Sequence, residues 1–338
     1  MSRAFLDVCR AGTPADALID VAQRYVAGGK RMRPALCVWG YLAIAPEPDD
    51  PHDLLAVAAS LDLLHASALV HDDVMDSSAT RRGMPSAHVQ LAQLHRERGW
   101  RGDADSFGRA GAIVLGNLLA TWSADMADVP LAQPARALLA AVRTDVNNGQ
   151  YLDALAQAHD LRAAREDPAD AMGLVVDVIE LKTSRYTVTR PLQIGAAMAG
   201  ATADRIDGWA AFGSSFGRAF QLRDDLLGVF GDPALTGKPS GDDLREGKLT
   251  ALVVHALERA TDADAARLAD LLSESGLTPG GVDEARSIIE GCGAAATVER
   301  DIADAHADAL ATLDTLPMRD EARQALRILA DVAANRAS

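Results

Sequence analysis

Residues 54–76 read LLAVAASLDLLHASALVHDDVMD, an apolar stretch that ends in three aspartates. Its apolar residues recur at the three- and four-residue spacing that marks one face of an α-helix. Asp72 and Asp76 are four residues apart, so on a helix they lie on one face, one turn from each other. Carboxylates beside an apolar face are costly unless a cation neutralises them. The pattern therefore indicates a Mg²⁺ site, although a solvated acidic helix end has the same spacing.

A second acidic cluster makes the metal site the stronger of these two interpretations. Residues 223–228 read RDDLLG and follow another apolar helical stretch, so Asp224 and Asp225 repeat the arrangement about 150 residues later. The aspartate pair is thus weakly repeated within the chain, each time at the end of a helix that is expected to be buried. Such a repetition is what two facing halves of one metal site require.

Cations lie close to the first cluster and further upstream. Arg81 and Arg82 follow the aspartates within a few residues, where they form either surface ion pairs or a bidentate clamp for anionic oxygens. Residues 28–34 read GGKRMRP, in which two glycines precede three cations at the start of a helix. Glycines allow the backbone to approach an anion closely. The phosphate loop G-x-x-x-x-G-K-[ST] is absent, which argues against a nucleotide-binding site of that type.

Composition limits the fold and the class of partner. The chain has 338 residues, with 33 Lys and Arg against 48 Asp and Glu, a formal net charge of -15. An acidic protein is a poor partner for nucleic acid, whose phosphates are bound by basic surfaces. Aromatic residues make up only 4%, and the apolar residues are mainly Ala, Leu and Val. Helical periodicity runs along the chain without alternating strand patterns, which predicts one all-α domain over 1–338 of about ten to thirteen helices.

The sequence also favours a cytoplasmic protein. The three widely spaced cysteines, Cys9, Cys37 and Cys292, do not form a disulfide framework or a zinc site. Charged residues interrupt the first ten positions, so we expect no secretory signal. Stretches such as 110–122 are shorter than the roughly 20 residues that span a bilayer, so we expect no integral membrane segment.

Taken together, these segments resemble those of the trans-polyprenyl diphosphate synthases of the class I isoprenoid synthase family, most of all the bacterial geranylgeranyl diphosphate synthases. The likeness covers nearly the whole chain in ordered, specific elements. They are Gly29–Pro34, Asp72–Asp76 with Arg81–Gly83, Gly149–Gln150 with Asp153, Lys182–Thr183 with Tyr186–Thr187, Gln221 with Asp224–Asp225, Gly231–Asp232, Lys238, Gly241–Asp243, and Gly247–Lys248.

The resemblance implies a helical bundle around a central cavity, the isoprenoid synthase fold, as a homodimer. It implies condensation of isopentenyl diphosphate with dimethylallyl, geranyl or farnesyl diphosphate to a linear all-trans prenyl diphosphate. It also implies about three Mg²⁺ ions per active site, held by carboxylates and substrate phosphates. In such a reaction metal ions and cations stabilise the departing diphosphate, and water must be excluded from the carbocation.

The resemblance assigns roles residue by residue. The implied catalytic residues are Asp72, Asp73, Asp76, Arg81, Lys182, Asp224 and Lys238. The implied metal ligands are Asp72, Asp76 and Asp224, with Asp225 on the same side. The implied contacts to isopentenyl diphosphate are Lys30, Arg33, His65 and Arg82. The implied contacts to the allylic diphosphate are Arg81, Lys182, Thr183, Gln221, Lys238 and Lys248.

Two positions depart from the family pattern. Gly228 stands where many members have a third aspartate, so metal binding there rests on Asp224 and Asp225. Asn117 stands where the family often has aspartate, which puts only details of loop geometry in question.

Product length depends on residues one turn before the first cluster. In the family, bulky aromatics there form a floor that stops elongation at about fifteen carbons, because a filled cavity cannot hold a longer chain. Ser67 and Ala68 are both small, so we expect a product of about twenty carbons or more, such as geranylgeranyl diphosphate. A residue of another helix, such as Ile113 or Leu115, is the alternative floor, which leaves a farnesyl or longer-chain synthase open.

Two other functions share parts of this pattern. A class I terpene cyclase has the same fold and first aspartate cluster but acts on a single diphosphate, so Lys30, Arg33 and Arg82 favour the transferase. Its second metal motif, N-x-x-x-S-x-x-x-E, differs from the one present here. An inactive regulatory subunit would be expected to lose aspartates from the first cluster, and this chain keeps all three.

Overall fold

The computed structural model describes residues 2–232, 241–273 and 277–336, and within them the chain is helical apart from one short hairpin. The N-terminal helices are α1 (Ser2–Val8), α2 (Asp16–Ala27), α3 (Met32–Leu42), α4 (His52–Met75), α5 (Ala87–Glu97), α6 (Ala104–Met126) and α7 (Gln133–Gln157). Strands β1 (Thr80–Arg81) and β2 (Met84–Pro85) form the hairpin between α4 and α5.

The second half of the chain continues as helices. They are α8 (Leu161–Glu166), α9 (Pro168–Val178), a π-helix (Ile179–Thr189), α10 (Arg190–Met198), α11 (Ala203–Asp207), α12 (Trp209–Phe230), α13 (Asp242–Arg245), α14 (Ala251–Arg259), α15 (Asp262–Ser273), α16 (Pro279–Gly291), α17 (Ala294–Thr315) and α18 (Asp320–Asn335). The all-α prediction is confirmed. The helices outnumber the ten to thirteen expected, because helices of only four to seven residues occupy loops.

Contacts between residues divide the chain into two compact units. Unit 1 comprises residues 1–137 and 191–201, and unit 2 comprises 138–190 and 202–338. Each unit has a buried apolar cluster of its own. The single domain over 1–338 and the central cavity stay predictions.

In unit 1, α4 is the central helix and packs against α3 and α6. Leu63, Leu115 and Leu119 are fully buried at this contact. Glycines set the distance between α3 and α10, because a Cβ on Gly40 would lie 2.2 Å from the carbonyl oxygen of Leu192. This close approach fixes α3, whose N-cap is Arg31 and whose first turn carries Arg33.

Helix α4 is, among the described residues, the one helix long and apolar enough by composition to cross a membrane, with a mean hydropathy of 1.6 over its best window. From the sequence, no apolar stretch was expected to be long enough to span a membrane. In the structure 61% of that window is buried, and Asp73 at its end is fully buried as well. This burial is typical of a core helix.

In unit 2, α12 is the central helix and packs against the π-helix and α17. Phe212 and Phe216 are buried on α12, with ring centroids 5.6 Å apart. A Cβ on Gly217 would lie 2.3 Å from the Cα of Ser184 in the π-helix. The small residue therefore brings the backbone of the π-helix against the helix that carries the second aspartate cluster.

Candidate active site

The first aspartate cluster forms the last turn of α4. The helix ends at Met75 with Asp76 as its C-cap. Ser77 then adopts a left-handed backbone (φ 54°), and the N–H of Ser78 donates to the carbonyl of Asp73 at 3.0 Å. This is the Schellman arrangement of a helix end, here without the usual glycine. Carboxylate oxygens of Asp72 and Asp76 lie within 4.8 Å of each other. Two hard oxygen ligands at that spacing fit a divalent cation that keeps most of its other ligands as water or phosphate.

The middle aspartate of the cluster has a different environment. Asp73 is fully buried, and its Oδ1 accepts a hydrogen bond from Nε of Arg81 at 2.8 Å. Its Oδ2 accepts from the hydroxyl of Tyr25 at 2.8 Å, and the same hydroxyl accepts from the N–H of Ala87 at 2.7 Å. Burial raises the pKa of Asp73, and the charge and hydrogen bonds of Arg81 and Tyr25 oppose that rise. Both carboxylate oxygens of Asp73 therefore accept hydrogen bonds from other side chains, and Arg81 is held by one of them.

A tight hairpin places the two adjacent arginines on different partners. Arg82 and Gly83, the two loop residues, both have positive φ (54° and 73°), which is the type I′ turn that matches strand twist. Arg81 turns to Asp73, whereas Nη1 of Arg82 donates to the carbonyl of Tyr25 at 2.8 Å. A Cβ on Gly29 would lie 2.6 Å from Nη2 of Arg82. The glycine is thus required for the arginine to reach the GGKRMRP loop.

These cations surround one histidine of α4. Burial lowers the pKa of His65 well below 6.5, and the nearby charges of Arg33, Arg82, Arg81 and Arg31 lower it further. The imidazole is therefore neutral and lies within a cluster of four guanidinium groups. Such a cluster is unfavourable by itself and is suited to a multiply charged anion.

In unit 2 the π-helix carries the Lys182 and Thr183 element. π-helical turns are rare and occur mostly at functional sites. Gly149 of α7 makes the approach possible, since a Cβ there would lie 2.5 Å from the backbone nitrogen of Lys182. One turn later on α7, Asp153 accepts a hydrogen bond from Nζ of Lys182 at 2.6 Å. The glycine and aspartate of the α7 motif therefore serve the same lysine.

A chain of hydrogen bonds leads from the π-helix to the second aspartate cluster. The Thr183 hydroxyl donates to Oε1 of Gln221 at 2.6 Å, and Nε2 of Gln221 donates to Oδ1 of Asp225 at 2.9 Å. Asp225 is buried, and burial raises its pKa to about 8, assisted by the carboxylates of Asp243 and Asp224 and opposed by the Gln221 bond. Three of the predicted residues, Thr183, Gln221 and Asp225, are thus linked.

The position of the missing third aspartate is occupied from elsewhere. A Cβ on Gly228 would lie 1.8 Å from Oδ2 of Asp243, so the Asp243 carboxylate takes the space of a side chain at 228. The N–H of Gly241 donates to the carbonyl of Gly228 at 3.0 Å and holds this segment on α12. Nζ of Lys248 lies 4.0 Å from Asp243 and 2.5 Å from Glu246.

The first residue of the second cluster contacts the C-terminal segment. Asp224 forms an ion pair with Arg336, whose guanidinium also stacks over the ring of Phe220 at 4.1 Å. Asp224 remains 40% exposed, which leaves its carboxylate accessible. Lys238 lies outside the described residues. Asn117 is exposed on α6.

The structure groups most predicted residues within each unit. In unit 1 it brings together Arg33, His65, Arg81 and Arg82, with Lys30 in the loop that Arg82 covers; in unit 2 it links Lys182 to Asp153 and Thr183 to Asp225. Sequence reasoning missed Tyr25, Asp62 and Arg336 and gave Asp243 no role. Asp62 had a signal, because it is the one acidic residue inside the apolar stretch 54–70.

The chain-length residues lie on two sides of α4. The hydroxyl of Ser67 is buried and donates to the carbonyl of Gly116 on α6 at 2.8 Å. Ala68 is partly exposed. Ser67 is therefore used in helix packing, and Ala68 is the better position at which to test the length of the product.

Comparison with known proteins gives a consistent result. The family model described as polyprenyl synthetase matches residues 15–289. A short chain isoprenyl diphosphate synthase of Methanothermobacter thermautotrophicus is 32% identical over 90% of this chain and 86% of its own. The crystal structure of geranylgeranyl pyrophosphate synthase from Corynebacterium glutamicum, complexed with isoprenyl diphosphate and magnesium, has a TM-score of 0.89 and 36% identity over 98% of this chain and 96% of that chain.

Other relatives differ in the product for which they are named. At 30 to 31% identity they include geranylgeranyl, geranylfarnesyl and farnesyl diphosphate synthases, from Methanosarcina mazei, Aeropyrum pernix and Mycobacterium tuberculosis. The isoprenoid synthase fold predicted for the chain is confirmed by its match to the solved structures. The chain belongs to the polyprenyl synthetase family and is a trans-prenyl diphosphate synthase.

Proposed function

We propose that the enzyme condenses isopentenyl diphosphate with an allylic diphosphate and releases diphosphate. The C1–O bond of the allylic substrate breaks, the double bond of isopentenyl diphosphate attacks C1, and a proton leaves from its C2 to the departing diphosphate. The observation that carries this proposal is the cationic cluster near neutral His65, in which Arg31 and Arg81 are paired with Asp62 and Asp73 while Arg33 and Arg82 supply further positive charge. It fits a second diphosphate, which a cyclase acting on one substrate does not bind.

The residues of the chain have separate tasks in this reaction. Lys30, Arg33 and Arg82 bind the diphosphate of isopentenyl diphosphate through charge-assisted hydrogen bonds. His65 is neutral, so it adds a hydrogen bond without adding charge. In unit 2, Lys182, Thr183 and Lys248 bind the allylic diphosphate, together with Lys238 and Gln221. Apolar side chains exclude the water that would quench the carbocation.

Asp72 and Asp76 of unit 1, and Asp224 and Asp225 of unit 2, are the residues that would hold Mg²⁺. When bound, Mg²⁺ supplies the positive charge that stabilises the leaving diphosphate. We expect Asp72→Ala to lower turnover by orders of magnitude and to weaken Mg²⁺ binding in calorimetry with inorganic diphosphate present. Near-normal turnover and Mg²⁺ binding in this variant would contradict the assignment.

The product favoured by the site is geranylgeranyl diphosphate, because Ser67 and Ala68 are small. We expect Ala68→Phe to shorten the product by one or more five-carbon units, since a larger side chain fills space along α4. Ser67→Phe also disrupts a buried hydrogen bond and is the less clean test. Unchanged product length in a folded Ala68→Phe enzyme would place the floor on another helix.

One assay tests the function directly. The purified protein is incubated with Mg²⁺, isopentenyl diphosphate and each of dimethylallyl, geranyl and farnesyl diphosphate, and the dephosphorylated products are separated by chromatography. We expect a linear all-trans prenol longer than the primer. No elongated product from any primer would overturn the proposal, and a cyclic hydrocarbon from one allylic diphosphate alone would indicate a terpene cyclase.

We propose further that the enzyme is a cytoplasmic homodimer. Support comes from the exposed side of α6, where the large apolar residues Phe107, Ile113 and Val114 are 39 to 49% exposed. Ile113→Asp is expected to shift the molar mass in light scattering from dimer to monomer, whereas Val332→Asp, on exposed α18, leaves it unchanged. A monomeric wild-type protein would contradict the dimer.

A further inference from the structure

An ion pair joins the GGKRMRP loop to the central helix of unit 1. Arg31, which lies between the predicted substrate contacts Lys30 and Arg33, donates to the carboxylate of Asp62 on α4. It also donates to the carbonyl of Val26 in the last turn of α2. The side chain of Asp62 is only 12% exposed. One guanidinium therefore ties together the end of α2, the start of α3 and the middle of α4.

The backbone of this loop is strained at the same residue. Arg31 has φ 53° and ψ 31°, the left-handed region that costs an ordinary residue about 1 kcal/mol. Such a conformation persists only where surrounding contacts hold it. The two side-chain contacts of Arg31 provide that restraint from one side. Arg82 provides it from the other, because its guanidinium lies directly over Gly29.

Asp62 also balances the charge of the cationic cluster. It lies three residues before His65, so the two side chains share a face of α4. The charges that act on the Asp62 carboxylate are those of Arg31, Arg82 and Arg33, all of which also act on His65. Three like charges that converge on one site repel each other. The Asp62 carboxylate, bonded to Arg31 and attracted by the charges of Arg82 and Arg33, offsets part of that repulsion before the substrate arrives.

We propose that Arg31 and Asp62 are positioning residues for isopentenyl diphosphate. Arg31 holds the loop through Asp62 and does not touch the diphosphate, whereas Lys30 and Arg33 bind it. This inference rests on the proposed function, because it assumes that the cationic cluster receives that substrate. If Arg31 and Asp62 position this loop, their loss should raise the KM for isopentenyl diphosphate and leave the KM for the allylic substrate nearly unchanged. A purely structural role would affect both substrates.

Steady-state kinetics of Asp62→Asn and Arg31→Gln test the proposal. We expect the KM for isopentenyl diphosphate to rise about tenfold in both, because misplacing binding groups by about 1 Å has effects of this size or larger. The KM for the allylic substrate and kcat should change less than about threefold. Asp62→Glu keeps the carboxylate and should restore most of the loss. Arg24→Gln is the matched control, because Arg24 is a cation of α2 whose Nε donates to Oε1 of Gln90 at 2.7 Å.

Hydrogen exchange of the free protein separates this proposal from the proposed function. We expect residues 28–34 to exchange faster in Asp62→Asn than in the wild type, with the rest of unit 1 unchanged. Faster exchange in Asp62→Asn, together with a wild-type protein that shows no prenyl transfer, would refute the proposed function. It would still support the role of the Arg31–Asp62 pair in holding the loop. Unchanged exchange with normal KM values in both variants would overturn the proposed role of the Arg31–Asp62 pair. A high KM in Arg31→Gln with a normal one in Asp62→Asn would show that Arg31 binds the diphosphate directly, which also overturns it.

Discussion

The two aspartate clusters look alike in sequence and differ in how their buried carboxylate is compensated. In unit 1, Asp73 is neutralised by the guanidinium of Arg81 and bonded by the hydroxyl of Tyr25. In unit 2, Asp225 accepts a hydrogen bond from the amide of Gln221 and lies near the carboxylates of Asp224 and Asp243. The charge of Lys248 also acts on it, more weakly than those groups. Burial raises the pKa of both. The difference teaches that a directly bonded guanidinium compensates the buried carboxylate of the first cluster, whereas an amide and the weaker charge of Lys248 leave the pKa of Asp225 raised to about 8.

Removing each buried carboxylate tests this contrast and has the largest expected effect. Asp73→Asn removes the carboxylate that is hydrogen-bonded to buried Arg81 and leaves that guanidinium with Asp72 at 3.8 Å. Breaking a buried pair costs about 3–5 kcal/mol of unfolding free energy. Asp225→Asn removes a buried carboxyl whose pKa is raised to about 8, so at pH 7.5 without metal the change should be neutral or stabilising. Urea denaturation at pH 7.5 without Mg²⁺ measures both. Equal losses would show that the two sites are equivalent.

The stability of the wild type and of Asp225→Asn should depend on pH in different ways. Because the pKa of Asp225 is raised from 3.8 to about 8, the folded protein keeps a proton that the unfolded chain has lost between these values. Stability without metal should therefore fall as pH rises through that window, and Asp225→Asn should make the slope smaller.

The crowding at Gly228 exists only in the second cluster. Gly228→Ala places a Cβ where the Asp243 carboxylate lies, which we expect to cost about 1–3 kcal/mol by overpacking. The double variant with Asp243→Ala should recover most of that loss, because the obstructing carboxylate is gone. Thermal unfolding of the two single variants and the double variant measures this double-mutant cycle. Additive losses of unfolding free energy would mean that Asp243 does not occupy the space of residue 228.

The hydroxyl of Tyr25 is specific to the first cluster. Tyr25→Phe removes the donor to Asp73 and the acceptor for the N–H of Ala87. Leaving buried polar groups unsatisfied costs about 1–3 kcal/mol. Tyr151→Phe, at a position 70% exposed, is the control and should change stability by less than about 0.5 kcal/mol. An equally small effect of Tyr25→Phe would show that Arg81 alone satisfies Asp73.

The smallest expected effect concerns His65. Since its pKa is lowered well below 6.5, the unfolded chain binds a proton below that pH that the folded protein does not. Stability should therefore fall as pH drops below about 6.5, and His65→Gln should reduce that fall. Thermal unfolding at pH 7.5 and 5.5 measures the difference. If the difference in Tm between pH 7.5 and 5.5 is the same in His65→Gln as in the wild type, the assignment of a neutral imidazole at His65 would be contradicted.

The sequence was sufficient to predict the helices and the segments that carry chemistry. Apolar periodicity identified α4, and the four-residue spacing placed Asp72 and Asp76 on one of its faces, because both follow from local geometry. The hairpin at 80–85 was not expected, since two-residue strands leave no alternating pattern. The short helices between the long ones were likewise too brief to show a period.

What only the tertiary structure decided is which of two adjacent aspartates is buried, and what each buried group contacts. Tyr25 and Asp73 are 48 residues apart and Arg31 and Asp62 are 31 apart, so no local spacing connects them. The place of Asp243 over Gly228 likewise depends on how a later segment folds back on α12. Composition and period determine where helices form and which residue types they carry. Packing determines which charges meet, because desolvation and charge pairing act between distant segments.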